Sequence, residues 1–312
     1  MCGITGFVGR VDDPIQTINL MKGAIAHRGP DSSNYWIDKS NFIALGHQRL
    51  AILDVSEAGS QPMLSPSSKY VIVYNGEIYN HLELRKELEE LSDQKIIWRG
   101  KSDTETLVVS LDLLGIEKTL KKCLGMFAIA IWNKKSKKLT LARDRVGEKP
   151  LYYGWVNNKF VFASELKSIR QFPEFANPIS KEALVNYLHV NYVPAPYSIY
   201  EDIFKLNPGS LIEIDASNGT NNLPMEKFFW SFLNVASDGI KHSFEKGYNF
   251  NPMIEKTIEN AVNSQMISDV PLGAFLSGGI DSSLIVALMQ KNSMQKIKTF
   301  TIGFENKLYD ES

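Results

Sequence analysis

The sequence predicts an α+β chain in two parts, an antiparallel first part and, after residue 250, the opening of a parallel α/β unit. Three observations carry this reading. At roughly 150 residues per domain, a chain of 312 residues predicts two domains. Up to about residue 215, helix signals alternate with apolar runs joined by short polar turns: Met126 to Trp132 and Leu139 to Ala142 flank a Lys-rich turn, and Phe160 to Ala163 follows Asn157-Asn158. Beyond residue 250 the order becomes strand, glycine loop, helix, strand, which is the pattern of a parallel α/β unit.

Each element has a local cause. Asp13 before Pro14 is an N-cap with proline at the first helical position, and Ile15, Ile18, Met21 and Ile25 recur at helical spacing, so a first helix runs toward His27-Arg28-Gly29-Pro30. Tyr70 to Tyr74 is a β-rich run that Asn75-Gly76 is expected to break as a turn. Leu84, Leu88 and Leu91 mark a second helix. Leu107, Leu111 and Leu114 mark a third that stops at Gly115. Residues 191 to 210 hold Pro194, Pro196 and Pro208-Gly209, and residues 216 to 250 are polar without a clear period. The expected domains are therefore 1–215, a linker or peripheral segment over 216–250, and 251–312. In the last, Ile254, Ile258 and Val262 share a helical face, Leu272 to Leu276 and Ile297 to Phe304 read as strands, and Leu284 to Met289 opens a helix.

Composition narrows the function. Hydrophobic residues at 44% and charged residues at 22% exclude wholesale disorder, collagen and coiled coil. With 34 Lys plus Arg against 35 Asp plus Glu, no global field favours nucleic acid or a membrane surface. Two cysteines, Cys2 and Cys123, are too few for a disulfide scaffold or a four-cysteine zinc site. The N-terminus has no charged stretch followed by an apolar one, and no apolar run approaches the 18 or so residues of a membrane span, so a cytoplasmic location is expected. Asn218-Gly219-Thr220 then reads as a plain turn.

Cys2 is the first chemical clue. A small residue in second position directs removal of Met1, which leaves a thiol and a free α-amine on one residue. With ordinary pKa values of about 7.7 to 8.0 for the amine and about 8.5 for the thiol, the amine can accept the thiol proton near neutrality. Cys123, in Leu120-Lys121-Lys122-Cys123-Leu124, reads as a small core residue. Gly100-Lys101-Ser102 is not a P-loop end, because the earlier glycine of that motif falls on Lys95.

Met1-Cys2-Gly3-Ile4-Thr5-Gly6 with His27-Arg28-Gly29-Pro30-Asp31 resembles the class II glutamine amidotransferases. Further segments narrow the match: Gly46-His47-Gln48-Arg49-Leu50-Ala51-Ile52, Asn75-Gly76-Glu77-Ile78-Tyr79-Asn80, Ser102-Asp103-Thr104-Glu105, the run from Arg143 to Tyr153, and Ser277-Gly278-Gly279-Ile280-Asp281-Ser282-Ser283. In this order they resemble the glutamine-hydrolysing asparagine synthetases over the whole chain. The resemblance implies an N-terminal-nucleophile hydrolase fold, a four-layer αββα sandwich of antiparallel sheets, followed by the first part of a PP-loop ATP pyrophosphatase domain. It also implies that Cys2 releases ammonia from glutamine with its own α-amine as base, and that His27 orders a loop beside the site. A PP-loop domain would use ATP and Mg2+ to adenylate aspartate, and ammonia would displace AMP to give asparagine.

The chemistry of each motif fits those roles. Attack on the glutamine amide puts charge on its oxygen, and the Asn75 side-chain amide with the Gly76 N–H can meet it as an oxyanion hole worth about 3 to 4 kcal/mol per donor. Free glutamine carries an α-carboxylate and an α-ammonium. Arg49 suits the first, and Glu77 and Asp103 the second. At the glycine loop, Ser277, Gly278, Gly279, Ser282 and Ser283 suit pyrophosphate oxygens, Asp281 suits Mg2+, and the resemblance places Leu276 and Ile302 beside adenine. Synthetases of this family continue for a few hundred residues, so the chain is expected to hold a complete glutaminase and only the start of its synthetase half. Two alternatives stay open: an amidotransferase of the same architecture acting on another carboxylate such as a sugar acid, and a noncatalytic glutamine- or partner-binding module. Homodimerisation is a family expectation.

Overall fold

The protein is described from a computed structural model covering residues 1–216, 224–245 and 247–306. It divides into two compact units, Met1–Asp238 and Gly239–Ser312. The Asn218-Gly219-Thr220 turn lies outside the described residues.

In the first unit, β1 (Gly3–Val8) is followed by α1 (Pro14–Gly23), β2 (Ser32–Asp38), β3 (Ile43–Arg49), β4 (Met63–Leu64) and β5 (Tyr70–Ile78). Helices α2 (His81–Leu91), α3 (Asp103–Leu114) and α4 (Ile116–Lys122) then lead to β6 (Gly125–Asn133), β7 (Lys138–Arg143), β8 (Tyr152–Val156) and β9 (Lys159–Ala163). After α5 (Leu166–Ile169) and α6 (Lys181–Val190) come β10 (Ile203–Lys205), β11 (Ser210–Asp215) and β12 (Lys227–Phe228), with α7 (Phe232–Lys241) running across the division between the units. The strands form two six-stranded antiparallel sheets, in the orders β10-β8-β9-β1-β3-β2 and β12-β11-β7-β6-β5-β4.

The layering follows from side-chain alternation. Along β5, Val71 and Val73 join Ile4, Leu45, Leu141 and Phe162 in the core between the sheets, while Tyr70, Ile72 and Tyr74 turn to the other side and meet Leu88, Val108 and Leu111 of α2 and α3. On the far face of the first sheet, Phe7, Ala44 and Val161 pack on Ile18 and Met21 of α1 and Ile169 of α5. The result is four layers, helix, sheet, sheet, helix, with both sheets covered on both faces. Cys123 sits in the α2–α3 core, and burial pushes its thiol up to about 12.

Local signals set the helix ends. Asp13 caps α1 by accepting from the Ile15 and Gln16 N–H groups at 3.0 and 2.9 Å. The helix stops at Gly23, earlier than its apolar spacing predicted, and residues Ala26–Arg28 form a separate 3-10 turn. Ser102 caps α3 by accepting from the Glu105 N–H at 3.2 Å, and Gly115, at φ 77°, ends it as expected. The segment expected to be a linker or peripheral is tethered to the first unit at residues 226–230. There Asn207 donates to the Glu226 carboxylate at 2.8 Å and the Phe229 N–H donates to the Gly209 carbonyl at 3.0 Å.

Asn75-Gly76 is a correction. It is not a turn: β5 runs through it, with Asn75 opposite Ala128 and Gly76 opposite Phe127 of β6. A nine-residue ladder outweighs the local turn preference of the dipeptide. Glycine is needed here for close approach, since a Cβ at position 76 would fall 2.1 Å from the Met126 carbonyl oxygen. The chain turns instead after Tyr79, where Asn80 accepts from the Leu124 N–H at 2.8 Å and donates to the Lys122 carbonyl at 3.0 Å.

The second unit contains α8 (Asn251–Ser264), β13 (Gly273–Phe275), α9 (Ile280–Lys291) and β14 (Lys298–Phe300), with β13 and β14 parallel as expected. Both strands are shorter than their apolar runs, because pairing extends over only three residues. Val262, Leu288 and Met289 form a small core, whereas Phe275, Phe300, Ile302 and Phe304 are exposed. A two-stranded sheet with an uncovered face is marginal. Amides of β13 and β14 should therefore exchange with deuterated solvent faster than those of residues 70–74 in β5, and equal protection would show the second unit to be as stable as the first.

Candidate active site

Six of the residues singled out by the sequence line one cavity of the first unit: Cys2, Arg49, Asn75, Gly76, Glu77 and Asp103. The topology explains this convergence. Antiparallel pairing sets Gly3 of β1 opposite Gln48 of β3, so Cys2 and Arg49 stand at the same end of the first sheet. The last residues of β5 and the first turn of α3 supply the remaining four from the other side of the sandwich.

The Cys2 thiol is half-buried, lies 3.5 Å from the Leu50 carbonyl oxygen and accepts from the Leu50 N–H at 3.4 Å. Burial pushes its pKa up and Asp103 adds to this, while the Leu50 N–H, the terminal amine and Arg49 oppose it. Arg28 anchors the same residue, donating from Nε to the Cys2 carbonyl at 2.9 Å and from Nη1 to Glu165 at 2.9 Å. His27 does not line the cavity. It reaches outward to Glu165 at 2.9 Å, consistent with ordering the adjoining loop.

Asn75 is 1% exposed, yet neither its Nδ2 nor its Oδ1 has a hydrogen-bond partner among the described residues. A buried amide left unpaired costs about 1 to 3 kcal/mol, and one held this way in the cavity that Cys2 also lines suits a ligand carbonyl. Asp103 accepts from the Tyr74 hydroxyl at 2.8 Å and the Ile78 N–H at 2.9 Å through one oxygen, Oδ2. Burial raises its pKa against those two bonds, and burial followed by the Asp103 charge raises that of Glu77. The Lys149 ammonium and the terminal amine act on Glu77 in the opposite sense, so the cavity holds groups of both signs. Arg49 is buried in the cavity wall, donating from Nη1 to the Ser56 carbonyl at 2.8 Å and from Nη2 to the Asp54 carbonyl.

Sequence reasoning gave no role to Lys149, which is buried, lines the cavity and donates to the Met1 sulfur at 3.2 Å. Its loop is fixed by the Asp144 carboxylate, which accepts from the N–H groups of Phe127, Val146, Glu148 and Lys149. The signal was the Arg143 to Tyr153 segment, legible as a motif of the resemblance while its placement at the cavity was not.

In the second unit, Leu276, Ser277 and Ile302 line a cleft with Phe275, Phe300 and Thr301. Gly278, at φ 75°, and Gly279 turn the chain from β13 into α9, whose first turn carries Asp281 and Ser282. The Ser277 and Ser282 hydroxyls lie 3.2 Å apart across that turn. No cluster of three or more His, Cys, Asp or Glu side chains able to hold a metal occurs among the described residues.

Comparison with known proteins agrees with this geometry. A glutamine amidotransferase domain family matches residues 1–229. The chain belongs to that family. Residues 253–312 of this chain match a second family, asparagine synthase. A Methanocaldococcus jannaschii protein named as a candidate glutamine-hydrolysing asparagine synthetase is 38% identical over the whole chain, which covers 61% of that relative. Asparagine synthetase (glutamine-hydrolysing) 1 of Bacillus subtilis is also 38% identical, and the chain covers 47% of it. The chain thus spans about half to three fifths of the length of these relatives. Among solved structures, the glutamine phosphoribosylpyrophosphate amidotransferase from B. subtilis shares the fold, with a TM-score of 0.54 at 16% identity, covering 98% of this chain and 67% of that one. An allosteric regulatory enzyme of purine biosynthesis gives a TM-score of 0.56 at 18% identity, covering 98% of this chain and 66% of that one. The two antiparallel sheets layered between helices are the N-terminal-nucleophile hydrolase fold expected from the sequence. Among the described residues no helix is long and apolar enough to cross a membrane.

Proposed function

We propose that the first unit hydrolyses glutamine to glutamate and ammonia at Cys2. The observation that carries this is the buried, unpaired Asn75 amide lining the same cavity as the thiol. Because burial raises the thiol pKa, attack needs a base close by. Removal of Met1 puts the α-amine on Cys2 itself. In the unprocessed chain, burial, with Arg28 and Lys149 adding to it, holds the Met1 amine below its ordinary value; on Cys2, whose carbonyl Arg28 contacts, the freed amine would serve as the base. The thiol proton passes to the amine, the thiolate adds to the amide carbon, and the Asn75 amide with the Gly76 N–H holds the charged oxygen. Arg49 takes the α-carboxylate, and Glu77 with Asp103 the α-ammonium.

This assignment separates binding from chemistry. Arg49→Ala should raise KM for glutamine about tenfold to a hundredfold with kcat little changed, as for loss of a charge-assisted contact made equally in ground and transition states. Steady-state glutamate release measures both constants. A fall in kcat at constant KM would remove Arg49 from substrate binding.

The second unit supports the start of an ATP site. Its cleft places apolar Leu276 and Ile302 beside a glycine turn, a pair of hydroxyls and a helix N-terminus, a donor set that suits a base on one side and phosphate on the other. A Cβ on Gly279 would stand 3.6 Å from the Ser277 hydroxyl and 3.9 Å from that of Ser282, inside this cradle. Ser277, Gly278, Gly279 and Ser282 would hold the phosphates, and Asp281 one face of a Mg2+ ion. ATP, when bound, would supply the adenylyl group that activates a carboxylate. The asparagine synthase match over residues 253–312 and the names of the relatives point to aspartate as acceptor and asparagine as product.

A further inference from the structure

We infer that Asp54 is a positioning residue for glutamine recognition, a clasp that ties the loop holding Arg49 to the loop that starts helix α3 and so fixes the distance between the two charged walls of the cavity. This rests on the glutaminase reading above.

Asp54 follows β3 by five residues, is 8% exposed, and adopts a left-handed backbone at φ 52°. That conformation turns its carbonyl and that of Ser56 toward the Arg49 guanidinium, which donates to both. Its side chain faces the other way. Oδ1 accepts from the Ser56 hydroxyl and, at 3.2 Å, from the Ser56 N–H, so the turn that presents the two carbonyls is braced by the carboxylate itself. Oδ2 accepts from the Lys101 N–H at 2.6 Å. Lys101 precedes Ser102, the N-cap of α3, and Asp103 is the first residue of that helix.

One side chain therefore joins a guanidinium on one wall to a carboxylate on the other. The second loop is shaped to receive it: a Cβ at Gly100 would fall 2.1 Å from Asp54 Oδ2, so only glycine permits the contact. The same loop is braced from behind by Glu105, which accepts from the Arg99 and Gly100 N–H groups at 2.7 and 2.9 Å. Burial opposes ionisation of Asp54, but the bonds from Ser56 and Lys101 and the charge of Arg49 outweigh it and hold the carboxyl below its usual range. A ligand with an α-carboxylate and an α-ammonium on one carbon needs its two charged partners at a set spacing. Asp54 touches neither group of the ligand and acts through both partners.

The experiment is a double-mutant cycle on the full chain with Met1 removed, read by glutamate release. Asp54→Ala should raise KM for glutamine about tenfold with kcat within about twofold, and Asp54→Asn, which keeps one acceptor oxygen, should fall between it and wild type. In an Arg49→Ala background, Asp54→Ala should raise KM by much less than tenfold, because with one of the two charged partners gone their spacing no longer matters. Amide exchange at Ser56 and Lys101 should quicken in Asp54→Ala while that of β5 stays unchanged. An active wild type in which Asp54→Ala leaves KM unchanged, lowers kcat instead, or adds its full effect to Arg49→Ala would overturn the clasp. If Asp54→Ala does not fold, Asp54→Asn carries the same comparison. A wild type without glutaminase activity would refute the glutaminase reading, and the exchange rates at Ser56 and Lys101 would still decide whether Asp54 joins the two loops.

Discussion

Cys2→Ala should release no measurable glutamate from glutamine, a loss of roughly 10⁴-fold or more in kcat. The variant keeps the cavity walls, because the thiol contributes only two long contacts with Leu50, at 3.4 and 3.5 Å, while Cys2 is anchored through its carbonyl by Arg28. Glutamine should accordingly still bind, with a Kd within a few-fold of the wild-type KM. The other cysteine offers no substitute. Cys123 is fully buried among Leu88, Leu120 and Phe127, and its thiol, raised to about 12, is un-ionised near neutrality. Cys123→Ala should leave glutaminase kinetics unchanged and cost some stability through the small cavity it opens. Blocking removal of Met1 should inactivate the enzyme as fully as Cys2→Ala, because Met1 lines the cavity and the Cys2 nitrogen remains an amide without basicity.

Asn75→Ala should lower kcat by about 10² to 10³ with KM little altered, the signature of a donor used only once charge has developed on the substrate oxygen. Its effect on folding should have the opposite sign to that of most core polar substitutions. In the wild type, both polar atoms of Asn75 are buried without partners among the described residues, so removing them relieves a desolvation cost and Asn75→Ala should melt no lower than wild type. Activity lost together with stability retained or raised is the pattern of a residue kept for its ligand. A variant that loses stability and keeps its kcat would make Asn75 a structural residue.

The first unit was legible where local signals coincide with the final pairing. The Asp13-Pro14 cap, the Gly115 stop of α3 and the strands at residues 126–132, 139–142 and 160–163 are all local, and they formed close to where they were expected. The strands β1 and β3 were not assigned, because Gly3, Gly6 and Gly46 and the polar Thr5, His47 and Gln48 hide their period; they are strands because they pair with each other and, for β1, with β9 far along the chain, and β2, also unassigned, is an edge strand on β3. Asn75-Gly76 shows the same limit from the other side. The dipeptide carries a strong turn preference, and only the 125–133 strand beside it, brought in after three helices, forces it straight. The six cavity residues were recoverable because, within the motifs that carry the resemblance, their types suit the two charges and the amide of glutamine. Lys149 and Asp54 were not, since the loops that bring them in are set by backbone hydrogen bonds that no spacing rule encodes.

The most direct test of the account is covalent capture. The purified chain, with Met1 removed, is treated with a glutamine analogue bearing an electrophile in place of the side-chain amide, then digested and mapped by mass spectrometry. The account predicts one label per chain, on Cys2, formed at a rate that free glutamine slows by competition and that Asn75→Ala and Arg49→Ala reduce. Labelling of Cys123, or labelling of Cys2 that glutamine does not slow, would contradict it.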